Sequence, residues 1–350
     1  VRWLFPAFVS LVTSPGLQAH PDPLENIKIY TYILSVSSEN PMVYFNRGIC
    51  YRLVSDFESA IKDFDKAEQE GIKGRPLWMN RAMAYLPLKR FEEAYQDLSR
   101  IIEEDAADSS SYFYRGEVRF RQGRYREAIA EYDSALKLKQ SHYLYFVRAD
   151  SHRMTGETAQ ALEDYSQAVA LAGHMVPYRI ARARLLGSMG RFDEARTELD
   201  DALKRQPERY QIYTDRAILS ASQGLEASKT ADLRSAMKYI EDEIFFRPKD
   251  ATVFADRAQV HELEGEVEKA RMDFDQAVEF ANPSDGKPLR LRAQFLSRHG
   301  EESRAAADLT QAAEVENQPI PTATPLPGPT LSLEDLRAQP TPNLLPEIQK

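Results

Sequence analysis

Tyr44-Phe45-Asn46-Arg47-Gly48-Ile49-Cys50-Tyr51, followed by Ala60-Ile61-Lys62-Asp63-Phe64-Asp65-Lys66-Ala67, is the stretch that decides the fold. Its arginine followed by a small residue recurs along the chain, at Arg47, Arg81, Arg115, Arg148, Arg182, Arg216, Arg257 and Arg292. The spacings are 34, 34, 33, 34, 34, 41 and 35 residues. A second series runs in parallel through Ala60, Ala94, Ala128, Ala161, Ala195, Ala236, Ala270 and Ala305. Self-similarity at such a period is the mark of stacked repeats.

Glycine punctuates six of the units, at Gly123, Gly156, Gly190, Gly224, Gly265 and Gly300. In the third unit Tyr112-Phe113-Tyr114-Arg115-Gly116 begins a helix, Gly123 stops it, and Arg126-Glu127-Ala128-Ile129 lies in the next. A glycine supplies the left-handed turn that ends a helix, so each unit reads as two antiparallel helices. Gly116 and Ala128 are small enough to let the two backbones approach closely, with Tyr112, Tyr132 and Ala135 above and below them. One such hairpin cannot bury its apolar face alone, whereas a stack of them can.

The combination of Tyr44, Gly48, Tyr51, Ala60, Phe64 and Ala67 in a unit of about 34 residues resembles the tetratricopeptide repeat. The resemblance covers about residues 41–316 as eight repeats and implies an all-α fold, a right-handed superhelical solenoid of antiparallel helix pairs. Pentatricopeptide RNA readers have a similar period but lack this Gly/Ala-Ala-Ala series. Residues 20–40 read as an N-terminal capping helix. About seven extra residues in the sixth unit are expected near Gln223–Ala231.

Sixteen residues after most of the arginines stands a carboxylate: Asp63, Asp97, Glu131, Asp164, Glu198, Asp273 and Asp308. In the sixth unit Tyr239 is expected at that place. Seven matched acids favour internal ion pairs that stitch the two helices over a ladder for an acidic ligand.

In the family, the first helix of each unit lines a concave groove. Carried onto this sequence, that register presents Met42, Phe45, Ile49, Leu53, Met79, Met83, Leu86, Phe113, Tyr114, Phe120, Tyr143, Phe146, Val147 and Met154. Methionine with aromatics suits an adaptable groove for a peptide or helix of a partner protein, and Asn46 and Asn80 are placed to hold its backbone. Coverage of the same residues by superhelical curvature or by another segment of this chain is the competing reading. Arg121, Arg153 and Arg184 then give a basic middle, and Asp215, Asp256 and Glu262 an acidic far end. Such a gradient either orients a bound chain or is a solvated face. The Lys/Asn/Arg clamp by which some family members grip a C-terminal carboxylate is absent, since Phe45, Ile49, Ser110 and Tyr114 occupy its positions beside Asn80.

The 350 residues carry 45 Lys and Arg against 54 Asp and Glu, a net charge of −9. A nucleic-acid partner would need a clustered basic footprint, so none is expected. The same balance argues against binding to an anionic membrane surface. The single cysteine, Cys50, lies in an apolar helical pattern and reads as a small buried hydrophobe. His261-Glu262-Leu263-Glu264-Gly265 lacks the second histidine of a zinc-protease helix, and Asp63-Phe64-Asp65 lacks the turn glycine of a calcium loop. Gly187-Ser188-Met189-Gly190 has the wrong spacing for a nucleophile elbow. The expectation is a non-catalytic scaffold or adaptor with no metal, cofactor or small-molecule substrate; the alternative is an accessory subunit of a cell-envelope or secretion complex that docks by its outer surface.

The ends differ from the middle. Val1-Arg2, the apolar run Trp3–Val12 and Ala19 resemble a secretory signal over residues 1–19, which places the protein in a bacterial periplasm or outside the cell, with no membrane insertion once it is removed. An apolar segment docked on the first repeat, in a cytoplasmic protein, is the alternative. Residues 317–350 hold eight prolines and read as a disordered tail, with Ser332-Leu333-Glu334-Asp335 resembling a capped helix start.

Overall fold

The computed structural model describes residues 22–37 and 40–317, and among them every regular element is a helix. The expected signal segment and the proline-rich tail lie outside the described residues. Helix α1 (Pro23–Val36) leads. Eight first-and-second helix pairs follow, in chain order: α2 (Pro41–Leu53) with α3 (Phe57–Gln69), α4 (Arg75–Tyr85) with α5 (Phe91–Glu104), and α6 (Ser109–Arg121) with α7 (Tyr125–Leu138). Then come α8 (His142–Thr155) with α9 (Thr158–Leu171), α10 (Val176–Ser188) with α11 (Phe192–Arg205), and α12 (Tyr210–Ser222) with α13 (Glu226–Phe246). The last are α14 (Ala251–Glu264) with α15 (Val267–Phe280), and α16 (Lys287–Arg298) with α17 (Glu302–Asn317). The chain forms two compact units that divide within α6, after Val118.

The turn inside each hairpin follows the sequence reading. All six punctuating glycines have φ between 69° and 84°. The first two units place Ser55 (φ 63°) and Lys89 (φ 56°) at the same eighth position after their arginines. A side chain in this region is strained by about 1–3 kcal/mol. Lys89 is exposed, so Lys89→Gly is expected to raise the midpoint of urea unfolding by the equivalent of about 1 kcal/mol, the relieved strain less the entropy that glycine loses. An unchanged midpoint would show that the turn is not strained.

In the first unit the core gathers around Ala60, Phe64, Ala67, Ala82 and Leu98, all fully buried. Gly48 permits this, because a Cβ there would stand 2.8 Å from the Phe64 ring. Cys50 is buried, and desolvation pushes its thiol up to about 11. In the second unit each first helix packs on its own second helix and on the preceding one, around fully buried alanines such as Ala161, Ala195, Ala236 and Ala270.

The sixth hairpin corrects two expectations. Gly224 lies eight residues after Arg216, as in its neighbours, so nothing is inserted near Gln223–Ala231. The extra residues instead lengthen α13, which has 21 residues against 14 in α11 and α15. Seven residues make about two helical turns and return to nearly the same face. Ala236 therefore packs in the core one heptad late, and Arg216 pairs with Asp232, at the ordinary sixteen-residue offset, while Tyr239 stacks on Tyr213.

The arginine pairs are internal struts. Arg47 holds Asp63 through two hydrogen bonds of 2.7 Å, and Arg148, Arg257 and Arg292 hold Asp164, Asp273 and Asp308 in the same two-pronged way. Arg182 pairs with Glu198. The guanidinium also reaches back to the preceding second helix, a contact that the sixteen-residue offset does not disclose. Arg81 donates to Asp65 (2.8 Å), Arg148 to Asp133 (2.6 Å), Arg216 to Asp200 (2.7 Å) and Arg292 to Asp275 (2.8 Å). Each of these four arginines thus ties three helices together.

Candidate functional site: the face of the first helices

The residues expected to line a groove fall in both units. In the first, Phe45, Ile49, Met79, Met83 and Tyr114 are half-buried and pack around one apolar cluster, so the structure does bring them together. Their outer neighbours Met42 and Leu53 are more than half exposed, at 52% and 57%. Phe113 tilts against Tyr114 with ring centroids 4.8 Å apart. Leu86, expected on the same lining, is buried. Asn46 is half-buried. Asn80 accepts from Arg52 Nε at 3.2 Å and donates to the Pro76 carbonyl at 2.8 Å, so its amide is already engaged within the protein.

In the second unit Phe120 packs edge-on against Tyr125, with centroids 5.2 Å apart. Phe146 stacks on Tyr178 at 4.7 Å and leans on Tyr165 at 5.7 Å, which makes it as much a core residue as a surface one. Val147 is buried; Tyr143 and Met154 are exposed.

The charges are arranged differently from a simple gradient. Arg184 donates to Asp215 at 2.8 Å, so one residue of the expected basic middle sits on the acidic end. Glu262 is held instead by Arg298 at 2.7 and 2.9 Å. Asp215 and Asp256 do share a cleft of about 510 Å³.

His261, Glu264 and Glu266 bring their ligand atoms close enough for a metal ion. Part of this arrangement recurs in the fourth repeat, where His152 meets Glu157 at 2.5 Å and Asp164 at 3.8 Å while Thr155 stands in the place of Glu264. His261 meets Glu266 at 3.0 Å and Asp273 at 3.7 Å. A pairing repeated four residues after two different strut arginines is a turn fastening of the repeat.

One apolar feature escaped the sequence reading. The lengthened end of α13 presents Phe245 and Phe246 to solvent, 80% and 76% exposed, with their rings 5.3 Å apart. The 41-residue spacing was the available signal. No helix among the described residues is long and apolar enough to cross a membrane.

Helical hairpins in tandem, fastened by buried ion pairs and showing apolar side chains on their first helices, define a repeat protein of the protein-interaction class. Three models of the tetratricopeptide repeat match residues 76–108, 114–175 and 153–213. The chain is a tetratricopeptide repeat protein. It is 26% identical over 180 residues to DnaJ homolog subfamily C member 3 of Mus musculus, covering 49% of this chain and 36% of that protein. It is 25% identical over 260 residues to Tetratricopeptide repeat protein 6 of Homo sapiens, covering 71% and 48% respectively. The chain thus spans between a third and a half of the length of these relatives. Among solved structures, yeast Tom70 superposes with a TM-score of 0.57 at 15% identity, over 84% of this chain and 60% of that one. A tetratricopeptide repeat protein from Parabacteroides merdae gives 0.50 at 20% identity, over 69% and 93%. These likenesses concern the fold.

Proposed function

We propose that the chain is a non-catalytic scaffold that binds a peptide or helix of another protein on the face of its first helices. The observation that carries this reading is the apolar row Met42, Phe45, Ile49, Leu53, Met79 and Met83 on α2 and α4, part packed and part open. Exposed apolar surface of this kind marks contact sites, and methionine adapts to varied partners. The struts occupy the guanidiniums of Arg47, Arg81, Arg148, Arg182, Arg216, Arg257 and Arg292, which directs recognition to these side chains.

The test uses a photo-reactive residue at Met83, with Lys62 on α3 as the control position. The Met83 probe is expected to label one protein that the Lys62 probe does not. Met42→Glu with Met83→Glu should then weaken that partner's binding at least about tenfold, as truncation of a buried anchor does, with the helical signal intact. Phe113→Glu belongs in the same series; Phe146 is a poor choice because of its packing on Tyr165 and Tyr178. Unaltered binding in the double variant would rule this face out.

A second reading is favoured by Phe245 and Phe246, whose exposure suits docking to a larger assembly through a second helix. Phe245→Ser with Phe246→Ser would break that docking and leave the first-helix face untouched. Export of the protein, read from Trp3–Val12 and Ala19, is proposed on the sequence alone.

A further inference from the structure

Within the second unit, α10, α12 and α14 enclose the cleft of about 510 Å³, lined among others by Gly187, Ser188, Tyr210, Asp215, Ser222 and Asp256. Small residues create the space. Gly187 has no side chain where Arg52, Leu86 and Phe120 stand in other repeats, and a Cβ there would meet Leu219 at 2.6 Å. Ser188 and Ser222 occupy the place of Leu53 and Met154.

The charged lining is unbalanced. Among the lining residues two carboxylates, Asp215 and Asp256, face one guanidinium, Arg184, with Arg209 and Lys287 close enough to act on Asp215 and Asp256 respectively. Asp215 is only 8% exposed, and its Oδ1 accepts from Arg184 Nε at 2.8 Å. Its Oδ2 lies buried with no hydrogen-bond donor. Asp256 accepts from the Tyr210 hydroxyl at 2.8 Å and from Gln211 Nε2 at 3.4 Å. Burial pushes the Asp215 carboxyl above the usual range; Arg184 opposes this and the charge on Asp256 adds to it. A buried carboxylate oxygen without a donor costs stability, so this arrangement is poorly explained as packing.

Register gives the cleft its meaning. Asp215 and Asp256 each precede the strut arginine of their repeat, the position that Asn46 and Asn80 hold in the first two repeats. The first-helix face thus carries neutral amides at one end of the sequence and carboxylates at the other. We propose that the cleft takes the side chain of an arginine or lysine presented by an extended segment of a partner protein, its cationic head paired with the Asp215 and Asp256 carboxylates. This rests on reading the first-helix face as a peptide binder, but it uses residues remote in sequence from the Met42–Met83 row. The cation adds charge-assisted pairing to two carboxylates that share one guanidinium in the lining.

The experiment is a titration of the full-length chain, by fluorescence anisotropy, with the labelled peptide Ala-Leu-Ala-Arg-Ala-Leu-Ala and its citrulline counterpart, which keeps the shape and loses the charge. The arginine peptide is expected to bind at least about tenfold more tightly, the difference that one charge-assisted contact makes. Asp215→Asn should erase that preference while melting no earlier than the parent, since it removes a buried charge and keeps the acceptor for Arg184. Asp256→Asn should reduce the preference, and Met83→Glu should leave it in place, which separates this cleft from the first-repeat face. Equal binding of the citrulline peptide, a preference that survives Asp215→Asn, or no saturable binding up to about 1 mM would each overturn the proposal. Argininamide binding as tightly as the peptide would overturn the assignment to a protein partner.

Discussion

Arg81→Met is expected to lower the stability of the first unit by about 3–5 kcal/mol, the cost of leaving a buried charge without its partner. Arg81 is the most buried of the strut arginines, 5% exposed, and grips Asp97 with bonds of 2.7 and 2.8 Å. It also donates to Asp65 and to Glu68. Burial works against its charge, but the hydrogen bonds to Asp97 and Glu68 outweigh this and hold its proton more tightly than usual. Without Arg81, Asp97 stays 3% exposed, with Arg100 at 3.5 Å as its remaining cation. Asp65 and Glu68 are more open to water and tolerate the loss. Since a repeat array opens segment by segment, the measurement is amide exchange of α4 and α5. Their protection should fall by two to four orders of magnitude, about 1.4 kcal/mol for each. Adding Asp97→Leu should recover most of it, because a well-packed apolar pair replaces a buried ion pair at little cost. A loss below about 1 kcal/mol in the single variant would show that the strut is ornamental.

Phe64→Ala should cost a similar amount, about 3–5 kcal/mol. Phe64 is fully buried, its ring lies against the Gly48 backbone, and Phe45 tilts onto it at 5.9 Å. With no side chain at Gly48 to move inward, the space left by the ring collapses poorly, and poor collapse sets the upper end of such costs. The exposed neighbour Lys62→Ala should stay within about 0.5 kcal/mol. Urea titration followed by helical signal compares the two. An equal effect of both substitutions would contradict the packing described. Phe64→Ala should also loosen Phe45, so it weakens any ligand of the first-helix face indirectly, whereas Met42→Glu acts there without touching the core.

Much of this architecture was legible because hairpin repeats are local. A turn glycine, a small residue where backbones meet, and an acid sixteen residues from an arginine all lie within one unit of sequence. The reading slipped where one local pattern could be satisfied at two places. In the sixth unit Ala236 and Tyr239 lie one heptad beyond the ordinary register, and the helical period puts them on nearly the same face as residues seven earlier. The sequence therefore looked like an insertion before them, while the chain kept Asp232 in place and lengthened α13 after it. Of the expected groove, Phe45, Ile49, Met79 and Met83 were found gathered. Leu86 and Val147, from the same series, turned inward, because which flank of a helix faces its neighbour depends on the angle at which the two pack.

By itself the sequence determined the class: an all-helical chain of eight tandem hairpins, held by arginine struts and turned at glycine, since each of those features is set by contacts within about 34 residues. The tertiary structure alone decided what each strut reaches outside its own hairpin, which apolar residues stay open, and that Asp215 and Asp256 share a cleft with Arg184 while Glu262 does not. Those facts depend on the stacking of one repeat on the next, and a repeating sequence specifies the unit far more strongly than the geometry between units.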